Sequence, residues 1–117
     1  MFQRGDVVLA VLTGDYGKPR PAIVVQSNLF NSGHASIVLC PASSDLTGLL
    51  LFRIPIVASE ATGLVKDSEV MVDKILAAKR ERIRRKIGRL SPLQMASVDR
   101  ALRIWLELPD ESTENNP

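Results

Sequence analysis

Six short strand-like runs, five of them apolar and the last one basic, are punctuated by turns and leave this chain few folds to choose from. They fall at 6–12, 22–26, 36–40, 49–56, 69–75 and 84–89, with turn-forming stretches at 14–17, 31–33, 43–48 and 61–63. The run at 69–75 alternates in parity, as a half-buried strand does. Gly5 opens the first run, and Pro55 marks the fourth as an edge strand or a bulge. Short strands joined by short turns, with no helix between them, pair antiparallel. The expected fold is mainly β, a small antiparallel barrel of SH3-like type or a strongly twisted sheet.

A single helix follows. Ser91 is placed to cap it, Pro92 suits the first helical position, and Gln94 completes an S-x-x-Q capping box. Met95, Val98, Leu102, Trp105 and Leu106 fall on one face at helical spacing, a core-facing stripe. Pro109 ends the helix, and the class becomes α+β with a C-terminal helix. A chain of 117 residues with 45% hydrophobic content supports one domain, placed at 1–109. The acidic stretch DESTENNP at 110–117 is expected to be a disordered tail. No apolar run approaches membrane-spanning length. The start, MFQRGDVV, is polar where a signal peptide is apolar. Cys40 is the only cysteine, so no internal disulfide forms and the cytoplasm is the expected compartment. Its Ile-Val-Leu-Cys setting reads as a core thiol and not a nucleophile. Phe52 and Trp105 read as core rings, Tyr16 and Phe30 as exposed ones.

Charge is unevenly spread. Residues 79–89, KRERIRRKIGR, set seven bases against one glutamate, although the whole chain sums to only +2. Such a stretch suits a phosphate backbone, with Arg84, Arg85, Lys86 and Arg89 as the contacts. It equally suits an edge strand kept soluble by charge.

The string KPRPAIVVQ at 18–26 places Arg20 between two prolines at the mouth of a strand. Each proline fixes φ, and Pro21 pushes Arg20 out of the helical region. A charged fork on a stiff extended segment suits a phosphate or a carboxylate, though an ordinary surface arginine fits the local pattern as well.

The usual hydrolytic devices are missing. No metal-ligand cluster is spaced for binding, and no cofactor motif is present. The one histidine, His34, lies in an SGHAS turn and cannot supply a two-histidine acid/base pair. RNA brings its own nucleophile, because the 2′-hydroxyl can attack the adjacent phosphorus. A protein then needs only to align the strand and stabilise phosphoryl charge, for which an arginine and a hydroxyl suffice.

Five blocks carry a family resemblance: RGDVVLA at 4–10, RPAIVVQSNLFN at 20–31, VLCPASS at 38–44, TGLVKDSEVMVDKI at 62–75 and IGRLSPLQMASVDRAL at 87–102. In this order the chain resembles the MazF/PemK toxins, sequence-selective ribonucleases of type II toxin-antitoxin systems. The resemblance implies metal-independent cleavage of single-stranded RNA, with Arg20 and Ser43 as catalytic residues and Ser44 as the neighbour if the register slips. The RNA contacts expected beside them are Asp15, Tyr16, Lys18, Ser44 and the basic residues Arg84, Arg85, Lys86 and Arg89. The resemblance also implies a symmetric homodimer with an RNA groove over the subunit interface, and a cognate acidic antitoxin that occupies that groove. Many relatives carry G-S-E-Q after the first strand, with a catalytic glutamate. This chain has the shorter TGDYGKPR, where Asp15 is the only acid. A non-catalytic CcdB-like toxin, or a nucleic-acid- or protein-binding module on the same barrel, is the alternative.

Overall fold

The computed structural model describes residues 1–49 and 51–109. Seven antiparallel strands form one twisted sheet, and one long helix follows them. β1 (Asp6–Val11) lies between β2 (Pro19–Val24) and β7 (Ile83–Arg89). β3 (Ser36–Ser43) pairs with β2 on one side and has two neighbours on the other. Its first half pairs with β6 (Leu76–Lys79), and its end pairs with β5 (Ser68–Met71). β4 (Arg53–Ile56) closes that edge against β5, with Pro55 on an edge strand as its missing donor requires.

Both faces of the sheet are covered, which is why VVLAV and AIVV read as continuous apolar runs. Ala78 of β6 and Ile83 of β7 join Val8, Ala10, Ala22, Val24, Ile37 and Leu39 in one buried cluster. The run β7-β1-β2-β3-β6 is therefore curled on itself, as in a partly closed barrel. The alternate residues Val7, Ile23, Cys40 and Val70 face α2 (Pro92–Leu106), which buries Val98, Ala101 and Leu102 against them. Burial pushes the Cys40 thiol up to about 12, as befits an inert core residue.

α2 starts as its sequence dictates. Ser91 Oγ accepts from Gln94 N at 3.1 Å, and Gln94 Oε1 accepts from Ser91 N at 2.8 Å. It ends at Leu106, with Glu107 left-handed at φ 56°, two residues before Pro109. The apolar stripe is longer than the sheet beneath it, so Trp105 and Leu106 are not core. Trp105 is 46% exposed and rests on the half-buried Phe52, ring centroids 5.3 Å apart.

Three other elements differ from their sequence signals. The run at 69–75 is strand only to Met71, then a 3-10 turn over Val72–Lys74. The turn sets Asp73 on the fork of Arg53, at 2.6 and 2.9 Å. β6 has the sequence LAAK, weak in strand formers, and exists because β3 offers it a ladder. The short helix α1 (Asn28–Asn31) forms because Ser27 Oγ accepts from Leu29 N at 3.1 Å.

The register between β2 and β3 creates an opening. The ladder runs Val24↔Leu39, Ile23↔Cys40, Ala22↔Pro41, and there it stops. Continued, it would pair Pro21 with Ala42 and Arg20 with Ser43. Proline at 21 and at 41 removes a donor from each strand at the break. Beyond it β2 stays with β1 through Arg20↔Ala10, while β3 turns to β5 through Ser43↔Glu69. The strands fork, leaving Arg20 and Ser43 on its two arms.

The far edge is pinned by close packing. β7 gives three residues to two of β1 at Arg84 and again at Ile87, so it carries two bulges. The buried Asp6 carboxylate holds Arg89 at 2.8 Å and Lys86 at 3.2 Å. Residues 61–63 press so closely on β7 that a methyl group on Gly88 would overlap the Thr62 carbonyl. Gly88→Ala is expected to cost at least about 1–3 kcal/mol of stability by overpacking against backbone. Gly33→Ala, with nothing near its added methyl, should cost far less. Urea unfolding of the two variants makes the comparison, and equal stabilities would refute the close approach.

Candidate active site

The fork opens into a cleft of about 500 Å3. One wall comes from Pro19, Arg20 and Pro21, the floor from Ala42, Ser43 and Ser44, and the far wall from Leu64, Val65, Lys66 and Ser68. Gly14, Asp15, Tyr16 and Lys18 form the lip above Arg20.

The lip is a tight turn. Asp15 N donates to Leu12 O at 3.2 Å, and Lys18 N donates to Asp15 O at 3.0 Å. Gly14 and Gly17 sit at φ 93° and 80°, where other residues are strained. Tyr16 between them is left-handed at φ 54° and 98% exposed. The turn folds Asp15 inward. Its Oδ1 forms an ion pair with the Arg20 guanidinium at 3.0 Å, while its Oδ2 is buried with no hydrogen-bond partner. Arg20 thus keeps part of its fork free and its charge locally balanced.

The floor is held from behind. Ser43 Oγ accepts from Asp45 N at 3.1 Å, and this leaves its hydroxyl proton uncommitted among the described residues. Glu69, paired with Ser43 across the ladder, accepts from Gly48 N at 2.9 Å, Thr47 N at 3.1 Å and Thr47 Oγ1 at 2.8 Å. One carboxylate thereby satisfies three donors of the loop that follows Ser43–Ser44. Those donors, the Gly48 and Thr47 N–H groups foremost, hold the Glu69 carboxyl below the usual range. The Arg53 fork does the same for Asp73.

The structure brings Asp15, Tyr16, Lys18, Arg20, Ser43 and Ser44 to one cleft. Arg84, Arg85, Lys86 and Arg89 lie on β7, two strands from Arg20, and do not line it. Lys86 and Arg89 are engaged by Asp6, whereas Arg84 and Arg85 form no ion pair among the described residues. His34 is exposed in its turn, where its carbonyl accepts from Arg80 at 2.9 Å. No group of three or more His, Cys, Asp or Glu side chains suited to a metal occurs among the described residues. No helix there is long and apolar enough to cross a membrane. Sequence reading missed the far wall, Val65, Lys66 and Ser68, and the clamp made by Glu69. The TG turn at 62–63 was visible, but nothing local says that the residues after it face Arg20.

The carboxylates give the stability a pH signature. Glu69 and Asp73 bind protons less readily in the folded chain than in the unfolded one. Their contribution is complete above the ordinary carboxylate range, about pH 4 to 4.5, and is lost as pH falls through their lowered folded values. Urea resistance is therefore expected to fall in acid, and Glu69→Gln to fall less steeply. Identical acid dependence in the variant would show that Glu69 does not clamp the loop.

Known proteins share the sequence pattern and the fold of this chain. The family model of the PemK-like, MazF-like toxins of type II toxin-antitoxin systems matches residues 3–106. A Mycolicibacterium smegmatis protein named as a probable endoribonuclease MazF is 37% identical over 106 residues, 90% of this chain and 96% of that protein. The fold matches the Mycobacterium tuberculosis toxin MazF-mt6 at TM-score 0.79, with 21% identity over 90% of this chain and 99% of the other. It also matches a mycobacterial endoribonuclease solved with its cognate antitoxin, at TM-score 0.79 and 19% identity over 94% of this chain and 99% of that one. With this cleft at the fork of its sheet, the chain belongs to the PemK-like, MazF-like toxin family of type II toxin-antitoxin systems.

Proposed function

We propose that this chain, an endoribonuclease toxin by family, cuts single-stranded RNA without a metal by directing the 2′-hydroxyl at its neighbouring phosphorus. One observation carries the reading: Arg20 and Ser43 stand on the two arms of the fork and line one cleft. A scissile phosphate seated there draws Arg20 away from Asp15 and takes two parallel donors from the guanidinium. Ser43 donates its hydroxyl proton to a phosphoryl oxygen. Asp15, the one carboxylate lining the cleft among the described residues, accepts the 2′-hydroxyl proton on the Oδ1 that Arg20 releases. The O2′–P bond forms, the P–O5′ bond breaks, and the 5′-oxygen takes a proton from solvent. The products are a 2′,3′-cyclic phosphate and a 5′-hydroxyl.

The same reading assigns partners. Exposed apolar side chains along the end of α2, Ile104, Trp105, Leu106 and Leu108, suit a two-fold homodimer. The cations of the cleft suit the carboxylates of an acidic antitoxin. The toxin acts in the cytoplasm, where single-stranded message is abundant.

RNA cleavage should persist in chelator and leave 5′-hydroxyl ends, and a perfect duplex should resist it, since its bases and backbone cannot be splayed into the cleft. Loss of activity in chelator, or 5′-phosphate ends, would falsify the mechanism. Arg20→Lys keeps the charge but loses the planar fork. It should cost about 2–4 kcal/mol of transition-state stabilisation, roughly two to three orders of magnitude in single-turnover rate. Ser43→Ala should slow the same step, and the double variant should lose less than the sum. Circular dichroism checks the fold. A folded Arg20→Lys protein that cuts at the parent rate would remove Arg20 from the site.

The exposed bases of β7 are assigned to binding. Replacing Arg84 and Arg85 together by Ala should weaken RNA binding and flatten its log–log salt dependence by about 1.4, at roughly 0.7 per phosphate on a single strand. The rate at saturating RNA should hold. An unchanged slope would make these residues an edge guard only.

A further inference from the structure

We propose that Lys66 is a phosphate-contacting residue of this cleft, meeting the RNA backbone from the wall opposite Arg20. The inference rests on the ribonuclease reading and adds a residue to it. Three observations carry it.

The first is position. The strand order β5-β3-β2 puts the end of β3 between the other two. Arg20 on β2 flanks Ser43 on one side, and the entry to β5, with Lys66 and Ser68, flanks it on the other. A phosphate on Ser43 is bracketed by both cations.

The second is charge. Arg20 is balanced by Asp15, so that pair contributes no net positive field to an approaching strand. A phosphodiester carries one negative charge, and the pentavalent state reached by 2′-oxygen attack carries about two. The cleft's remaining cations are Lys18, beside Arg20, and Lys66, across from it. Neither forms an ion pair among the described residues. Lys66 is the one placed to share the phosphate from the side Arg20 does not reach.

The third is how the segment is held. Ser68 Oγ donates to the Lys66 carbonyl at 2.9 Å, and Asp67 Oδ1 accepts from Ala58 N at 2.8 Å. Gly63 abuts the Ile87 carbonyl so closely that no Cβ fits between them. The backbone is fixed on both sides of Lys66 while its ammonium is exposed and uncommitted, the arrangement expected of a presented ligand-binding group and not of a structural ion pair.

The test compares Lys66→Ala, Lys66→Arg and, as a control for losing one charge outside the cleft, Lys74→Ala. Single-turnover rates are measured on an unstructured mixed-sequence RNA. Binding is measured against salt on the all-2′-deoxy form, which cannot react. Lys66→Ala should lower the rate by about 10- to 100-fold, the range for a hydrogen bond to a charged group, and the salt slope by about 0.7. Lys66→Arg should keep both near the parent values, and Lys74→Ala should leave both unchanged. A Lys66→Ala protein that matches Lys74→Ala in rate and slope overturns the proposal. A parent protein that binds but does not cut overturns the ribonuclease reading, while the slope comparison still decides Lys66. Failure of the parent to bind the strand overturns both.

Discussion

The cleft of this molecule depends on the parting of two strands. β2 and β3 are paired for three residues and then separate at Pro21 and Pro41, neither of which has a backbone donor to offer. An antiparallel ladder that ended with free donors and acceptors would be closed by a further strand or by water. Here each arm finds another partner instead, β2 on β1 and β3 on β5, so the fork stays open without orphaned ladders. Two side chains that the register would have set in one cross-strand pair are left lining one cleft of about 500 Å3.

The walls of that gap are braced by charge and close packing. Glu69 secures the loop behind Ser43, and the Arg53–Asp73 fork secures the turn that ends β5. Gly63 and Gly88 let the far-wall loop sit directly on β7. Arg4 reaches Asp99 on α2 and the Val25 carbonyl, tying the first residues to the helix. These braces surround the cleft, while the lip from Gly14 to Lys18 has neither a buried apolar anchor nor a ladder. Catalysis that works by holding a strand in line needs such a scaffold more than it needs reactive groups.

Much of this was legible in the sequence, and the rest was hidden for identifiable reasons. The turns, the capping box of α2, the burial of Cys40 and the exposure of Tyr16 follow from local chemistry, which the structure respects. Arg20 and Ser43 could be named together from the family resemblance, but their meeting depends on a register across β2 and β3 that no local rule gives. β6 was invisible because LAAK is a strand only by virtue of its neighbour. The stripe on α2 was right in phase and wrong in extent, since periodicity says which face is apolar and not how far the sheet reaches. Lys66 was unreadable for the opposite reason: one exposed lysine in a loop looks like any other until the fold sets it across from an arginine.

The Asp15–Arg20 contact has a consequence for what the cleft ignores. Asp15 is tethered five residues from Arg20, so it competes for the guanidinium at the effective concentration of a short linker, in the millimolar range or above. Chloride, bicarbonate or free phosphate at ordinary cellular levels must outcompete a carboxylate that never diffuses away. A polyanion escapes this handicap because its neighbouring phosphates are themselves tethered, each raising the local concentration of the next. The internal carboxylate therefore acts as a filter on valency. On the proposed ribonuclease reading, it sets a handicap that a lone small anion must overcome and that a chain of phosphates, touching several points of the cleft at once, offsets.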